Sequence, residues 1–192
     1  MLNCLLAGVG GQGTVLASRL IAQAAMEKGE MARTAETIGM AQRGGCVVSH
    51  VRIGDDVFSS LIPKGKADVI LGFEPGEAVR CLPYLKQGGA VVAAKRAVRP
   101  VTASLSGAEY GGGPMIEYLK AHCSRLVVVD GDAVCAACGS PKVLNSALLG
   151  AAVAGGWLGI TMEEMEATIR RRVPERFIEL NLKALRLGAE FR

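Results

Sequence analysis

The 192 residues include 25 glycines, 22 lysines and arginines against 18 aspartates and glutamates, and 50% apolar side chains. A half-apolar chain of this length can bury a core without disulfide or metal staples, which excludes disorder; a net charge of +4 with 4% aromatics excludes a base-stacking nucleic-acid surface. The longest charge-free apolar run, Ala147–Ile160, has 14 residues, four of them glycine, whereas a membrane span needs about 20.

One domain over residues 1–192 is expected, with a helical tail over about 162–192. The N-terminal MLNCLLAGVGGQG has no lysine or arginine ahead of its apolar stretch, so no signal peptide is expected. Cys4, Cys46, Cys81, Cys123, Cys135 and Cys138 lie mostly in apolar runs, as reduced core thiols do, which points to a cytoplasmic, reducing compartment.

In chain order, Leu2–Ala7 reads as a strand and Thr14–Lys28 as a helix with Leu16, Leu20, Ile21, Ala24 and Ala25 on one face, stopped by Gly29. Met31–Ala35 predicts a strand ending at Glu36. Cys46–Ile53 alternates as a strand should, and Gly54-Asp55-Asp56 predicts a hairpin to a further strand over Val57–Ile62. Ala67–Phe73 reads as a buried strand, Glu74-Pro75 opens a helix running to about Leu85, and Gly88-Gly89 turns the chain into a strand over Ala90–Ala94. Residues 97–113, rich in glycine, serine and proline, read as a mobile connection. A helix over Pro114–His122, a strand over Leu126–Val129 and a nearly all-apolar helix over Asn145–Leu158 follow; burial against a partner chain would account for the last. Two amphipathic tail helices separate near Pro174. Strands alternating with helices predict an α/β, Rossmann-like three-layer sandwich: a mostly parallel sheet with a hairpin insertion.

Gly8-Val9-Gly10-Gly11-Gln12-Gly13 is a G-x-G-x-x-G placed after a strand and opening a helix. In that setting Gly8 permits the tight turn, Gly10 lets an anion approach the backbone, and Gly13 lets the helix pack closely on the sheet. Glu36, 23 residues beyond Gly13, stands near where a ribose-binding acid would sit. The same glycines also suit a loop that only packs helix on sheet. A phosphate loop of the Gly-Lys-Ser/Thr kind is excluded, because none follows. Glu36–Gly45, ETIGMAQRGG, is expected in the next strand-to-helix region at the same sheet edge, with Arg43, Gly44 and Gly45 offering a guanidinium and approachable backbone to an anion or a partner.

GVGGQG at 8–13, ETIGMAQRGG at 36–45 and SHVRIG at 49–54 resemble, in that order, the gamma-type chains of 2-oxoacid:ferredoxin oxidoreductases, most closely the small subunits of the indolepyruvate type. Ala67-Asp68, Phe73-Glu74-Pro75, Tyr84-Leu85 before Gly88-Gly89, Asn145 with Leu149-Gly150-Ala151, and Phe177, Asn181, Ala184 and Gly188 extend the resemblance over nearly the whole chain. It implies a complex that decarboxylates an aryl 2-oxoacid on thiamine diphosphate and Mg2+, passes electrons through iron–sulfur clusters to ferredoxin, and transfers the acyl group to coenzyme A. A larger subunit would hold the thiamine and the clusters. None of these groups is expected on this chain alone, nor any metal, catalytic residue, nucleic acid or membrane contact.

The residues agree with that division. Gly131-Asp132-Ala133 with Asn145 is too short for a thiamine motif, and Cys135-Ala136-Ala137-Cys138 lacks the two further ligands of a cluster or zinc site. That pair reads as inert thiols, or as redox-active if placed at a helix start. His50 reads as a hydrogen-bonded structural residue, Glu74 as a helix-start residue, and Arg170-Arg171-Arg172 with Arg176 as a solvated face or a contact for an acidic partner or coenzyme A phosphates. A stand-alone dinucleotide- or coenzyme A-binding protein is the alternative. The first of these would need a proton-transfer set such as Tyr-x-x-x-Lys, which is not evident.

Overall fold

The computed structural model describes residues 1–38, 45–100 and 109–191. Six strands form one sheet in the order β2–β3–β1–β4–β5–β6. They are β1 (Leu2–Val9), β2 (Ala32–Ile38), β3 (Cys46–Ile53), β4 (Ala67–Gly72), β5 (Leu85–Ala94) and β6 (Arg125–Val129). β1, β4, β5 and β6 run parallel, whereas β3 is antiparallel to both β1 and β2.

The apolar alternation of the central strands builds two cores. Cys4, Leu6, Val69, Leu71, Val92 and Val129 face one side; Leu5, Ala7, Ile70, Val91 and Ala93 face the other. Strands covered on both faces read as continuous apolar runs, as β1 does. The first face carries α1 (Thr14–Glu27), α4 (Gly131–Cys138), α5 (Leu144–Ala154), α6 (Met162–Arg172) and α7 (Glu175–Gly188). The second carries α2 (Pro75–Cys81) and α3 (Gly112–His122).

Three expectations are corrected. No strand forms over Val57–Ile62, because β3 already has β1 on one side and β2 on the other, leaving no free edge for it. The hairpin is instead β2–β3, with Glu36 opposite Ser49. The helix after Glu74 ends at Cys81 and gives way to a 3-10 turn at Leu82–Tyr84, where Pro83 cannot continue an α-helix. The apolar α5 is covered within this chain, by the sheet and α1 beneath it and by α7 above, so a partner is not required to explain its composition. An unexpected helix, α4, starts where the Asp130 carboxylate accepts from the Ala133 N–H and ends on Gly139 in the left-handed region. The predicted connection at 97–113 falls partly on residues 101–108, outside the described residues.

His50 is structural, as its strand setting suggested. Its ring is buried, its Nδ1 accepts the Ile62 N–H at 3.1 Å, and it meets the Tyr84 ring edge-on. Accepting at Nδ1 requires a neutral ring, and burial holds its pKa below the ordinary 6.5. The unfolded chain therefore takes up a proton that the folded one refuses, so stability is lost as pH falls below about 6.5. Glu27, Asp130 and Glu166, all held below ordinary carboxylate values by ion pairs, lose their contributions only at lower pH. Thermal melts between pH 8 and pH 5 should show a loss in wild type that is largely absent from His50→Asn. Parallel curves for the two proteins would refute this assignment.

Candidate functional site at the carboxyl edge of the sheet

The glycine loop follows β1 at the carboxyl edge, where ligands of open α/β sheets bind. β1 and its parallel neighbour β4 send their helices to opposite faces, α1 to one and α2 to the other, so a crevice is expected between their ends. Gln12 fills it. Its Oε1 accepts the Val9 N–H at 2.8 Å and its Nε2 donates to the Phe73 carbonyl at 2.8 Å, stitching the two strand ends together. A Cβ on Gly8 would lie 2.7 Å from Phe73 Cβ and 2.8 Å from Gln12 Oε1, so Gly8 is required by this packing. The Gly10 N–H donates to the Gly45 carbonyl at 3.0 Å, tying the loop to the start of β3 instead of offering that donor to an anion. Gly11 (φ 94°) and Gly13 (φ 82°) lie in the left-handed region, and Gly13 caps α1 without a side chain.

Glu36 is exposed on the edge strand β2, separated from β1 by the whole width of β3. A ribose-binding acid needs the strand beside the glycine loop, and here β3 occupies that place. The Glu36–Gly45 segment joins two antiparallel strands, correcting the expected strand-to-helix setting. Its two ends do reach the same sheet edge as the glycine loop, since Cys46 pairs with Val9. Arg43 and Gly44 lie outside the described residues; Gly45 lies within them, as the acceptor for Gly10.

The open space lies to the other side of the loop, on the α1 and α5 face. A cavity of about 510 Å³ is lined by Gly11, Gln12 and Gly13, by the end of β5 and the residues after it, and by the starts of α4 and α5. Asn145, 3% exposed, borders it and packs against Gly13, whose added Cβ would lie 3.1 Å from Asn145 Nδ2. Arg96, Lys142 and Asp132 are its charged residues, with Arg96 Nη1 3.1 Å from Asp132 Oδ1. Sequence reasoning placed Asn145 in a family pattern but missed Arg96 and Lys142, which only folding brings beside the loop.

On the opposite face, Glu74 is 1% exposed and does more than start a helix. Its Oε2 accepts the Glu77 N–H at 2.8 Å, and its Oε1 accepts the Val98 N–H at 3.3 Å and the Tyr110 hydroxyl at 3.1 Å. Burial, and then the Glu74 charge, push the Tyr110 phenol up to about 12. Cys46, whose thiol is pushed up to about 11 by burial and by Glu77, stands at the start of β3. Cys135 and Cys138 lie in the middle and at the end of α4, not at its start, and burial raises the Cys135 thiol. That placement removes the helix-start activation a redox pair would need. The arginine run is largely paired within the chain: Arg171 with Glu27, and Arg170 with Glu179 at 2.9 Å, while Arg176 lies 4.7 Å over the Phe177 ring. Among the described residues no cluster of histidine, cysteine, aspartate or glutamate could hold a metal ion, and no helix is long and apolar enough to cross a membrane.

The family model described as pyruvate ferredoxin/flavodoxin oxidoreductase matches residues 3–191. The chain belongs to this family. It is 37% identical over 193 residues to the indolepyruvate oxidoreductase subunit IorB of Pyrococcus horikoshii, covering 98% of this chain and 94% of that one. It is 38% identical over 188 residues to the Archaeoglobus fulgidus protein of the same name, covering 97% and 93%. Among solved structures, the gamma subunit of a keto/oxoacid ferredoxin oxidoreductase from Geobacter sulfurreducens superposes with a TM-score of 0.72 at 26% identity, covering 99% of this chain and 97% of that one. The α/β Rossmann-like fold with its mostly parallel sheet is thus that of the gamma-type subunits of this family.

Proposed function

We propose that this chain is the small subunit of an indolepyruvate:ferredoxin oxidoreductase, acting as one cytoplasmic domain in the coenzyme A-dependent oxidative decarboxylation of aryl pyruvates. The observation that carries this reading is the 37–38% identity, over nearly the full length of each chain, to relatives named as indolepyruvate oxidoreductase subunits. Among the described residues no group of three or more histidine, cysteine, aspartate or glutamate side chains is arranged to hold a metal ion. On this reading thiamine diphosphate, Mg2+ and the iron–sulfur clusters are assigned to a larger partner subunit, through which electrons reach ferredoxin. The carboxyl edge, with the loop Gly8–Gly13 and Gly45, is the face assigned to that partner and to coenzyme A. Glu36, Arg43 and Gly44 extend the assigned face along the sequence.

The test is reconstitution. The large chain, produced with and without this one, is assayed for indolepyruvate- and coenzyme A-dependent reduction of ferredoxin. Activity should require both chains, and the two should copurify. Full activity from the large chain alone, or no association between the chains, would overturn the reading.

A further inference from the structure

We propose that a groove at the amino edge of the sheet docks an acidic polypeptide segment, contributed by a partner protein, that inserts an apolar side chain between its carboxylates. This edge lies opposite the one assigned to the large subunit and coenzyme A, so the inference does not depend on the proposed function.

The groove, about 570 Å³, lies between the end of α2, the start of β5 and the last turn of α3. Its floor is apolar. Val79, Leu82 and Leu85 are half-buried side chains at the fringe of the second core, and Tyr118 stacks on His122 at 3.9 Å beside them. Such a hollow lets an inserted apolar side chain leave water.

The charge around that floor has one sign. Arg80 and Lys86 line it and no carboxylate does. Lys64 and Lys66 flank Gly65, whose N–H donates at 2.9 Å to the carbonyl of Pro83, a lining residue; Arg125 follows Ser124, another. Arg80 and Lys86 are paired, with Glu77 and Asp68. Lys64, Lys66 and Arg125 are exposed and have no ion-pair partner among the described residues. A cation in the last turn of a helix complements its dipole, which accounts for Arg80. Lys64 and Lys66 precede β4 and Arg125 opens β6, so no helix end explains them.

Three unpaired cations around an apolar hollow match carboxylates flanking an apolar side chain. A second copy of this chain, itself at +4, would bring like charge to the edge. RNA would need open aromatic faces for its bases, and Tyr118 already stacks on His122. A membrane surface takes up apolar side chains that protrude, whereas these line a hollow.

The test is fluorescence anisotropy of the full-length chain with a labelled peptide of glutamates around two leucines. The comparisons are its leucine-to-serine form, oligouridylate and phosphatidylserine vesicles. The leucine peptide should bind one-to-one and weaken as salt rises. The serine form should bind about tenfold more weakly or worse, from lost apolar burial. Lys64→Glu with Lys66→Glu, and separately Arg125→Glu, should weaken the leucine peptide by about tenfold, two or more surface ion pairs turned to repulsion. Arg172→Glu, an equally exposed cation on α6, should leave it unchanged. No binding of the leucine peptide, equal affinity for the serine form, equal weakening by Arg172→Glu, or tighter binding of oligouridylate or vesicles would each overturn the proposal.

Discussion

Gly150→Ala should destabilise the protein by about 3 kcal/mol, at the upper end of what overpacking a rigid core costs. The reason is a helix crossing made backbone to backbone. A Cβ on Gly150 of α5 would lie 1.9 Å from the Leu185 carbonyl oxygen of α7, and one on Gly188 of α7 would lie 2.0 Å from the Ala147 carbonyl oxygen of α5. Neither obstacle is the end of a flexible side chain, so relief requires the two helices to separate. Separation would also stretch the buried bond from Ser146 Oγ to Asn181 Oδ1, 2.6 Å long. Alanine favours an isolated helix over glycine by about 1 kcal/mol, which is too little to reverse the sign. Urea unfolding of Gly150→Ala should show a lowered midpoint with the slope unchanged. A stability within about 0.5 kcal/mol of wild type, the usual range of a harmless surface substitution, would refute the close crossing.

Glu74→Ala should cost a comparable amount, about 3 kcal/mol, because three donors lose one carboxylate: the Glu77 N–H at the start of α2, the Val98 N–H and the Tyr110 hydroxyl. Glu74 sits at the end of β4 and holds residues on both sides of the 101–108 stretch, so its loss loosens the link between β5 and α3. Glu74→Gln keeps one acceptor oxygen on the same stem and should recover about half of the loss. A second readout separates charge from packing. With the carboxylate gone but burial retained, the Tyr110 phenol should fall part of the way from about 12 toward 10 in a spectrophotometric titration of Glu74→Gln. A phenol that does not move would mean that burial alone raises it.

Much of the fold is legible in local sequence because its signals are local. The apolar run Leu2–Ala7, the glycine loop, the face of α1 and the Glu74-Pro75 helix start each occupy contiguous residues, and each forms where the pattern places it, the first strand running on to Val9. The early stop of α2 at Pro83 is a local error, but two others arise where pairing is non-local. Val57–Ile62 has the composition of a strand, but strand formation needs a free edge, and β3 has none. The apolar composition of α5 correctly signals burial but cannot say by what; the covering element is α7, some thirty residues further along the chain.

The glycine loop shows the same division most sharply. By itself the sequence determined that a strand, a glycine turn and a helix succeed one another at Gly8–Gly13, since those conformational needs are met within the loop. Tertiary structure alone decided what the loop faces. Gln12 bonds to Phe73, 61 residues away, and closes the crevice; Gly10 bonds to Gly45; β3 separates Glu36 from the loop. Asn145, Lys142 and Arg96 then open a different cavity beside it. Backbone conformation is encoded by near neighbours through steric limits on φ and ψ, whereas a cavity is the space left between distant segments once all of them have packed.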